Sequence, residues 1–227
     1  MNSLGTSFRL EAGDKGVPLR PCPSGWWGTA NFYADKVEVI KFDLPKPFND
    51  AAQLPRLVIA LESPHVSEFG SAESKYRPQG PAQGTTGEKL RRNFTKQRVC
   101  EEIRAIAANA NKFNLVLVNA IEYQCSMGNA LTSYESRKRR DSVFRKLWFK
   151  CGGRKDFTDR ILKLELESRD VLVNACTKGA TKGARPDECS GASGSLREHV
   201  AAALKEIFAD RDRSKSLVTS HPSSWLG

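Results

Sequence analysis

A chain of 227 residues is long enough to bury one sizeable core, which excludes a fibrous protein or a short disulfide framework. Its 36 Lys and Arg against 26 Asp and Glu leave a net charge of +10 and a pI near 9.4, favouring a polyanionic partner, nucleic acid before an anionic membrane. Mean hydropathy is −0.48, and the longest apolar runs, Leu57 to Leu61 and Leu115 to Val118, fall far short of the ~18 residues a spanning helix needs. No secretory signal is visible at the N-terminus, so a cytoplasmic protein with no membrane partner is expected.

Residues 1–35 are rich in Gly, Pro and Ser, carry adjacent Trp26 and Trp27, and show neither helical nor strand periodicity. They predict an irregular N-terminal arm packed on the domain by its tryptophans, with 36–227 forming a single α/β domain. Short, β-branched apolar runs follow at Val37 to Phe42, Arg56 to Leu61, Asn114 to Asn119, Asp170 to Ala175 and Ser216 to Ser220. Continuous runs of that length predict strands buried on both faces. Between them, Val99, Ile103, Ile106 and Ala107 recur at helical spacing, as do Val143, Leu147 and Trp148, and then Leu196, Val200, Leu204 and Ile207. Strands alternating with helices predict an α/β fold, a mostly parallel central sheet in a three-layer α/β/α arrangement. Ligands bind such sheets at the carboxyl ends of the strands.

Glu62-Ser63-Pro64-His65 follows the run ending at Leu61, Asn119 closes the next, and His221-Pro222-Ser223-Ser224 follows the last. A carboxylate, an amide and an imidazole are thus expected at one rim. Two of the three histidines in the chain fall there.

These segments resemble the uracil-DNA glycosylase superfamily, most closely its branch that carries an iron–sulfur cluster. Leu61-Glu62-Ser63-Pro64-His65 is similar to that branch's water-activating Gly-Glu-Ala-Pro-Gly motif. Gln79-Gly80-Pro81-Ala82-Gln83-Gly84-Thr85-Thr86-Gly87 is similar to the glycine-rich stretch that precedes a helix. Val118-Asn119 matches the strand whose Asn reads the base, and His221-Pro222-Ser223 the closing His-Pro-Ser motif. The four occur in family order across residues 56 to 224.

The resemblance implies a monofunctional DNA glycosylase that flips a base and hydrolyses its N-glycosidic bond to leave an abasic site. That cleavage builds positive charge on the sugar and negative charge on the base. Glu62 suits the water and the sugar cation, His221 the base anion, and Asn119 the edge of the flipped base. Pro64 and Pro222 would stiffen loops along the DNA backbone. Gly84, Thr85, Ser223 and Ser224 would face phosphates, and Trp225 would wedge into the opened stack. Lys89, Arg91, Arg92, Lys96 and Arg98 open one helix, and Arg137 to Arg140, Arg145, Lys146 and Lys150 fill another segment, both expected on phosphates. DNA, single- or double-stranded, is the expected partner of a monomer.

Three departures refine the expectation. The branch holds its cluster on a C-x-x-C pair and two later cysteines. Here the six cysteines include no such pair, only Cys22 in the arm and Cys125 six residues after Asn119, so no cluster, metal or other cofactor is expected. Cys100, Cys151, Cys176 and Cys189 are expected as reduced thiols. Ala82 stands where the family has the Phe that stacks on uracil, and His65 where the branch has Gly. A roomier base site favours a bulky modified pyrimidine, the kind carried by some phage DNA, and hence antiviral defence. The alternatives are uracil excision in base repair, and a nucleic-acid-binding protein of this fold without catalysis. A phosphate loop at Gly84 to Lys89 is rejected because Glu88 stands where its Lys must be.

Overall fold

The computed structural model describes residues 22, 25–32, 37–46, 54–69, 79–84, 86–88, 90, 101–103, 105, 110–126, 133–179, 194–208 and 216–218. Six strands, β1 (Gly25–Phe32), β2 (Val37–Lys46), β3 (Arg56–Leu61), β4 (Lys112–Asn119), β5 (Val171–Asn174) and β6 (Ser216–Val218), form one mixed sheet in the order β2-β1-β4-β3-β5-β6. The pairings β4-β3, β3-β5 and β5-β6 are parallel; β1 is antiparallel to both β2 and β4.

Strand pleating sends alternate side chains to opposite faces, and both faces of the middle strands are apolar. Leu57, Ile59, Leu61, Leu115, Leu117, Val171 and Val173 join one buried cluster with Leu90 and Ile103, which lie in helical turns. Val58, Ala60, Val116, Val118 and Leu172 join a second cluster with three helices, α1 (Tyr134–Lys150), α2 (Gly153–Lys163) and α3 (Leu196–Phe208). In the second cluster Trp148 stacks on Phe144 and tilts against Phe157, tying α1 to α2.

Two expectations need correction. Gly25–Phe32, expected as irregular arm, is an internal strand of the sheet. Its inward positions are Gly28, Ala30 and Phe32, two of them small, and the register slips between Trp26 and Gly28, so neither an apolar run nor an alternation is visible. The side chains of Trp26 and Trp27 lie outside the described residues. The run Val37 to Phe42, expected as buried on both faces, lies instead in an edge strand, Val37–Lys46, with Glu38 and Ile40 exposed. Pro45 near its end suits an edge, where a missing amide costs no ladder bond.

Two local devices position the functional rim. Ser133 caps α1: Ser136 N–H donates to Ser133 Oγ at 3.0 Å while Ser133 N–H donates to Ser136 Oγ at 3.2 Å. Such a cap contributes about 1 kcal/mol and fixes where the helix starts. From α2, Arg160 donates to the carbonyls of Asn119 (2.9 Å) and Ala120 (3.2 Å), holding the carboxyl end of β4 against the helix. Among the described residues no helix is long and apolar enough to cross a membrane.

Candidate functional site

Parallel pairing brings Leu61 of β3 level with Asn119 of β4, so the two strands end side by side. The chains leaving them stay bonded: Ala120 N–H donates to Leu61 O and Ile121 N–H to Glu62 O. Glu62 is therefore delivered next to Asn119, and both are buried.

The Glu62 carboxylate is held at both oxygens. Oε1 accepts from Arg140 Nη1 at 2.5 Å, and Oε2 accepts from Thr177 N–H, just past β5, at 3.1 Å. Arg140 also donates from Nε to Asp141 Oδ1 at 2.7 Å. Burial works against the Arg140 cation, but Glu62 and Asp141 more than offset it, and its pKa lies above the ordinary value. Two carboxylates share the Arg140 guanidinium, and a second cation, Arg197, bonded to the Cys176 carbonyl at 2.7 Å, also feels Glu62. Gly179 lets Asp141 in: its φ is +85°, and a Cβ there would meet Asp141 Oδ2 at 2.5 Å.

On the other side of Asn119 stands a carboxylate that the sequence reading did not single out. Glu68 closes a 3-10 turn, Val66–Glu68, and is 4% exposed. It accepts from Asn119 Nδ2 at 3.4 Å, a long hydrogen bond, and from the Cys22 thiol at 3.8 Å. The backbone amides of His65 and Ala82 also donate to it. Desolvation outweighs these donors and pushes its pKa up from 4.5 to about 7. Burial and the neighbouring Glu68 push the Cys22 thiol far up, so it stays protonated. Asn119 is fully buried, and its Oδ1 has no hydrogen-bond partner among the described residues.

The loop 79–84 runs over this turn. Gln79 N–H donates to Glu68 O at 2.8 Å, and a Cβ on Gly84 would collide with Ser67 Oγ. Ala82 has φ +56°, strained for a residue with a Cβ, and its methyl group sits in the apolar cluster with Leu61 and Ala175. His65 is exposed at the mouth of the turn. Its Nδ1 accepts from Ser67 N–H at 3.3 Å, which puts the imidazole proton on Nε2. Partial desolvation lowers its pKa against the opposing pull of Glu62.

Of the expected site residues, Glu62, Pro64, His65, Ala82, Gly84 and Asn119 are brought to one rim. Pro64 is buried beside Glu62. β6, parallel to β5, ends at Val218 at this same edge, three residues before His221 in the chain. His221, Pro222, Ser223, Ser224, Trp225, Thr85, Lys89, Arg91, Arg92, Lys96 and Arg98 lie outside the described residues.

The basic run on α1 needs correction. Arg137, Lys138, Arg139, Lys146 and Lys150 are exposed, but Arg140 is buried on Glu62, and Arg145 is buried with Nη2 on the Gly194 carbonyl at 2.9 Å. Neither guanidinium is presented to phosphate. A signal for this existed: Arg140 falls on the helical stripe of Phe144, Leu147 and Trp148. Glu68 had none, since nothing in Val66-Ser67-Glu68-Phe69 distinguishes a buried carboxylate from an exposed one.

Cys22, Cys125 and Cys176 are buried around the rim and Cys151 is half-buried, all as free thiols; Cys100 and Cys189 lie outside the described residues. Burial pushes the Cys125 thiol up to about 12, leaving it a poor nucleophile and a poor metal ligand. Among the described residues no group of three or more His, Cys, Asp or Glu is placed to hold a metal ion. No family model, curated protein or solved structure matches the chain.

Proposed function

We propose that this chain is a DNA glycosylase of the uracil-DNA glycosylase type, acting on a bulky modified pyrimidine. The observation that carries the reading is the pair of adjacent parallel strand ends that sets Glu62 beside Asn119. A group able to oppose a sugar cation thereby stands next to one able to read a base edge. Water adds its hydroxyl to the sugar carbon as the C–N bond breaks, and its proton goes to the released base. Glu62 with Arg140 and Asp141 supplies the negative pole for the developing cation. Asn119 pairs with the base, and His221 stabilises the departing anion. Exposed Arg137, Lys138 and Arg139, which precede Arg140 on α1, supply phosphate contacts. The apolar cluster on each face of the parallel strands supports the three-layer α/β/α fold this reading requires. The Ala82 methyl group is buried with Leu61 and Ala175, so the bulky pyrimidine, and with it a cytoplasmic, monomeric enzyme of phage defence, rests on the sequence resemblance, in which Ala82 replaces a stacking aromatic.

One observation favours a second reading, a nucleic-acid-binding protein without catalysis. Both Glu62 oxygens are already engaged, so a water must compete with Arg140 or Thr177 for the carboxylate. Oligonucleotides carrying uracil, 5-hydroxymethyluracil or a bulkier 5-substituted pyrimidine separate the two. Alkali-labile abasic sites, greatest for the bulky base, are the expected result. Binding without abasic sites on any substrate would establish the second reading and overturn the first.

A further inference from the structure

Asn119 is fixed by its backbone and undecided by its side chain. Its carbonyl is held by Arg160 at 2.9 Å and it pairs with β3, so the main chain cannot adjust. The carboxamide keeps one freedom, rotation that exchanges Oδ1 and Nδ2, and only Nδ2 is bonded among the described residues. A buried acceptor without a partner has lost its water and gained nothing in return. Such a group points to a ligand that completes it.

Glu68 decides which end is bonded. As a carboxylate it can only accept, so it takes Nδ2 and leaves Oδ1 over. As the acid it carries an O–H, which can donate to Oδ1 after the carboxamide rotates, leaving Nδ2 over. We propose that Glu68 sets the polarity of the recognition edge offered by Asn119. When ionised it leaves Oδ1 free to accept from a ring bearing an imide N–H, of the uracil or thymine kind; when protonated it takes Oδ1, frees Nδ2 and removes that preference. Glu68 is on this view a positioning residue, acting on the ligand through Asn119.

The surroundings let the switch work near neutrality. Glu68 is faced by the Cys22 thiol, whose backbone amide donates to the Glu122 backbone carbonyl at 2.7 Å, by the Asn119 carboxamide, and by the amides of His65 and Ala82. The His65 ring, on the same turn, bonds to Ser67 and feels Glu62. Cys22 stays a neutral thiol, and burial places the Glu68 titration at about 7, so both forms of Glu68 are populated at neutral pH.

The identity of the ligand rests on the glycosylase reading; the coupling of Glu68 to Asn119 does not, and the test separates them. In the full chain labelled with 13C-glutamate and 15N-asparagine, NMR between about pH 5 and 9 follows both side chains. The Glu68 carboxyl carbon should titrate near 7 and the Asn119 NH2 resonances should move with the same midpoint, as linkage requires. In Glu68→Gln those resonances should not move. Asn119 resonances that ignore the Glu68 titration, or a Glu68 midpoint in the ordinary carboxylate range, would overturn the coupling on the wild-type chain alone. The ligand half is read from single-stranded oligonucleotides differing only in one uracil or one cytosine. The affinity ratio in favour of uracil should fall about tenfold from about pH 8.5 to 5.5, the scale of one mismatched buried hydrogen bond, and stay flat in Glu68→Gln. A ratio that is pH-independent in the wild type overturns the switch in selectivity. Co-titration without binding of either oligonucleotide overturns the glycosylase reading and leaves the coupling standing.

Discussion

Glu68→Gln changes the chemistry of one side-chain atom and removes one titration, and its effect on stability follows from the burial of that side chain. Buried behind the 3-10 turn, the carboxyl has its pKa raised from 4.5 to about 7 by desolvation. At about 1.4 kcal/mol per tenfold change in an equilibrium, that rise corresponds to about 3 kcal/mol. Below pH 4.5 the group is protonated in both the folded and the unfolded chain. Between 4.5 and about 7 the unfolded chain releases the proton while the folded chain keeps it, so stability falls as pH rises, and above 7 the loss is complete. Gln has no such slope. Its amide must still arrange itself among Asn119, Cys22 and the amides of His65 and Ala82, but that cost does not depend on pH. Urea unfolding at several pH values should therefore show the variant gaining on the wild type by about 2–3 kcal/mol between about pH 5 and 8. A difference constant across that range would mean that Glu68 titrates normally and is not desolvated.

Three further substitutions probe the rim and its opposite edge. Glu62→Gln should abolish base release while DNA binding survives, since the charge is lost and the shape is kept; release at the wild-type rate would remove Glu62 from catalysis. Arg140→Met should cost about 3–5 kcal/mol at pH 7, because it leaves Glu62 and Asp141 buried without their shared cation. Chemical denaturation showing a loss under 1 kcal/mol would mean the pair is solvated. At the amino end of the sheet, Asp170 accepts from Arg56 N–H at 2.7 Å, from its guanidinium at 2.7 Å and from Glu167 N–H at 2.8 Å. Asp170→Ala should lower stability by about 3 kcal/mol without altering DNA binding, and a thermal midpoint unchanged from wild type would contradict the network.

The strands that were legible are those with a side chain to show on each face. β3, β4 and β5 are packed from both sides, so Leu57 to Leu61, Leu115 to Val118 and Val171 to Val173 read as unbroken apolar runs. β1 is equally internal, yet Gly28 and Ala30, two of its three inward positions, carry little or no side chain, and the bulge breaks the period. α2 was missed for a related reason. Only Phe157 and Ile161, one turn apart, are apolar and buried among eleven mostly charged residues, and the helix opens on Gly152-Gly153, a weak start signal. Asp170, placed at the head of a strand by its apolar neighbours, stands just outside β5, where its carboxylate closes a loop onto Arg56.

The site was legible where it sits on strand ends and illegible where it depends on a helix meeting them. Glu62 and Asn119 follow from the rule that ligands meet parallel sheets at their carboxyl ends. Arg140 was read as one more cation in a basic run, but successive helix residues turn by about 100°, so four in a row cannot share one face. One of Arg137 to Arg140 must point back toward whatever the helix packs on. The stripe through Phe144, Leu147 and Trp148 says which one, because Arg140 lies one turn before it on the same side. A guanidinium driven into an apolar interface needs acceptors there, a carboxylate for Arg140 and the Gly194 carbonyl for Arg145. A basic run whose last member falls on an apolar stripe therefore implies a buried acceptor on the facing element. Here that acceptor is Glu62, the carboxylate that its place at the end of β3 independently makes a candidate.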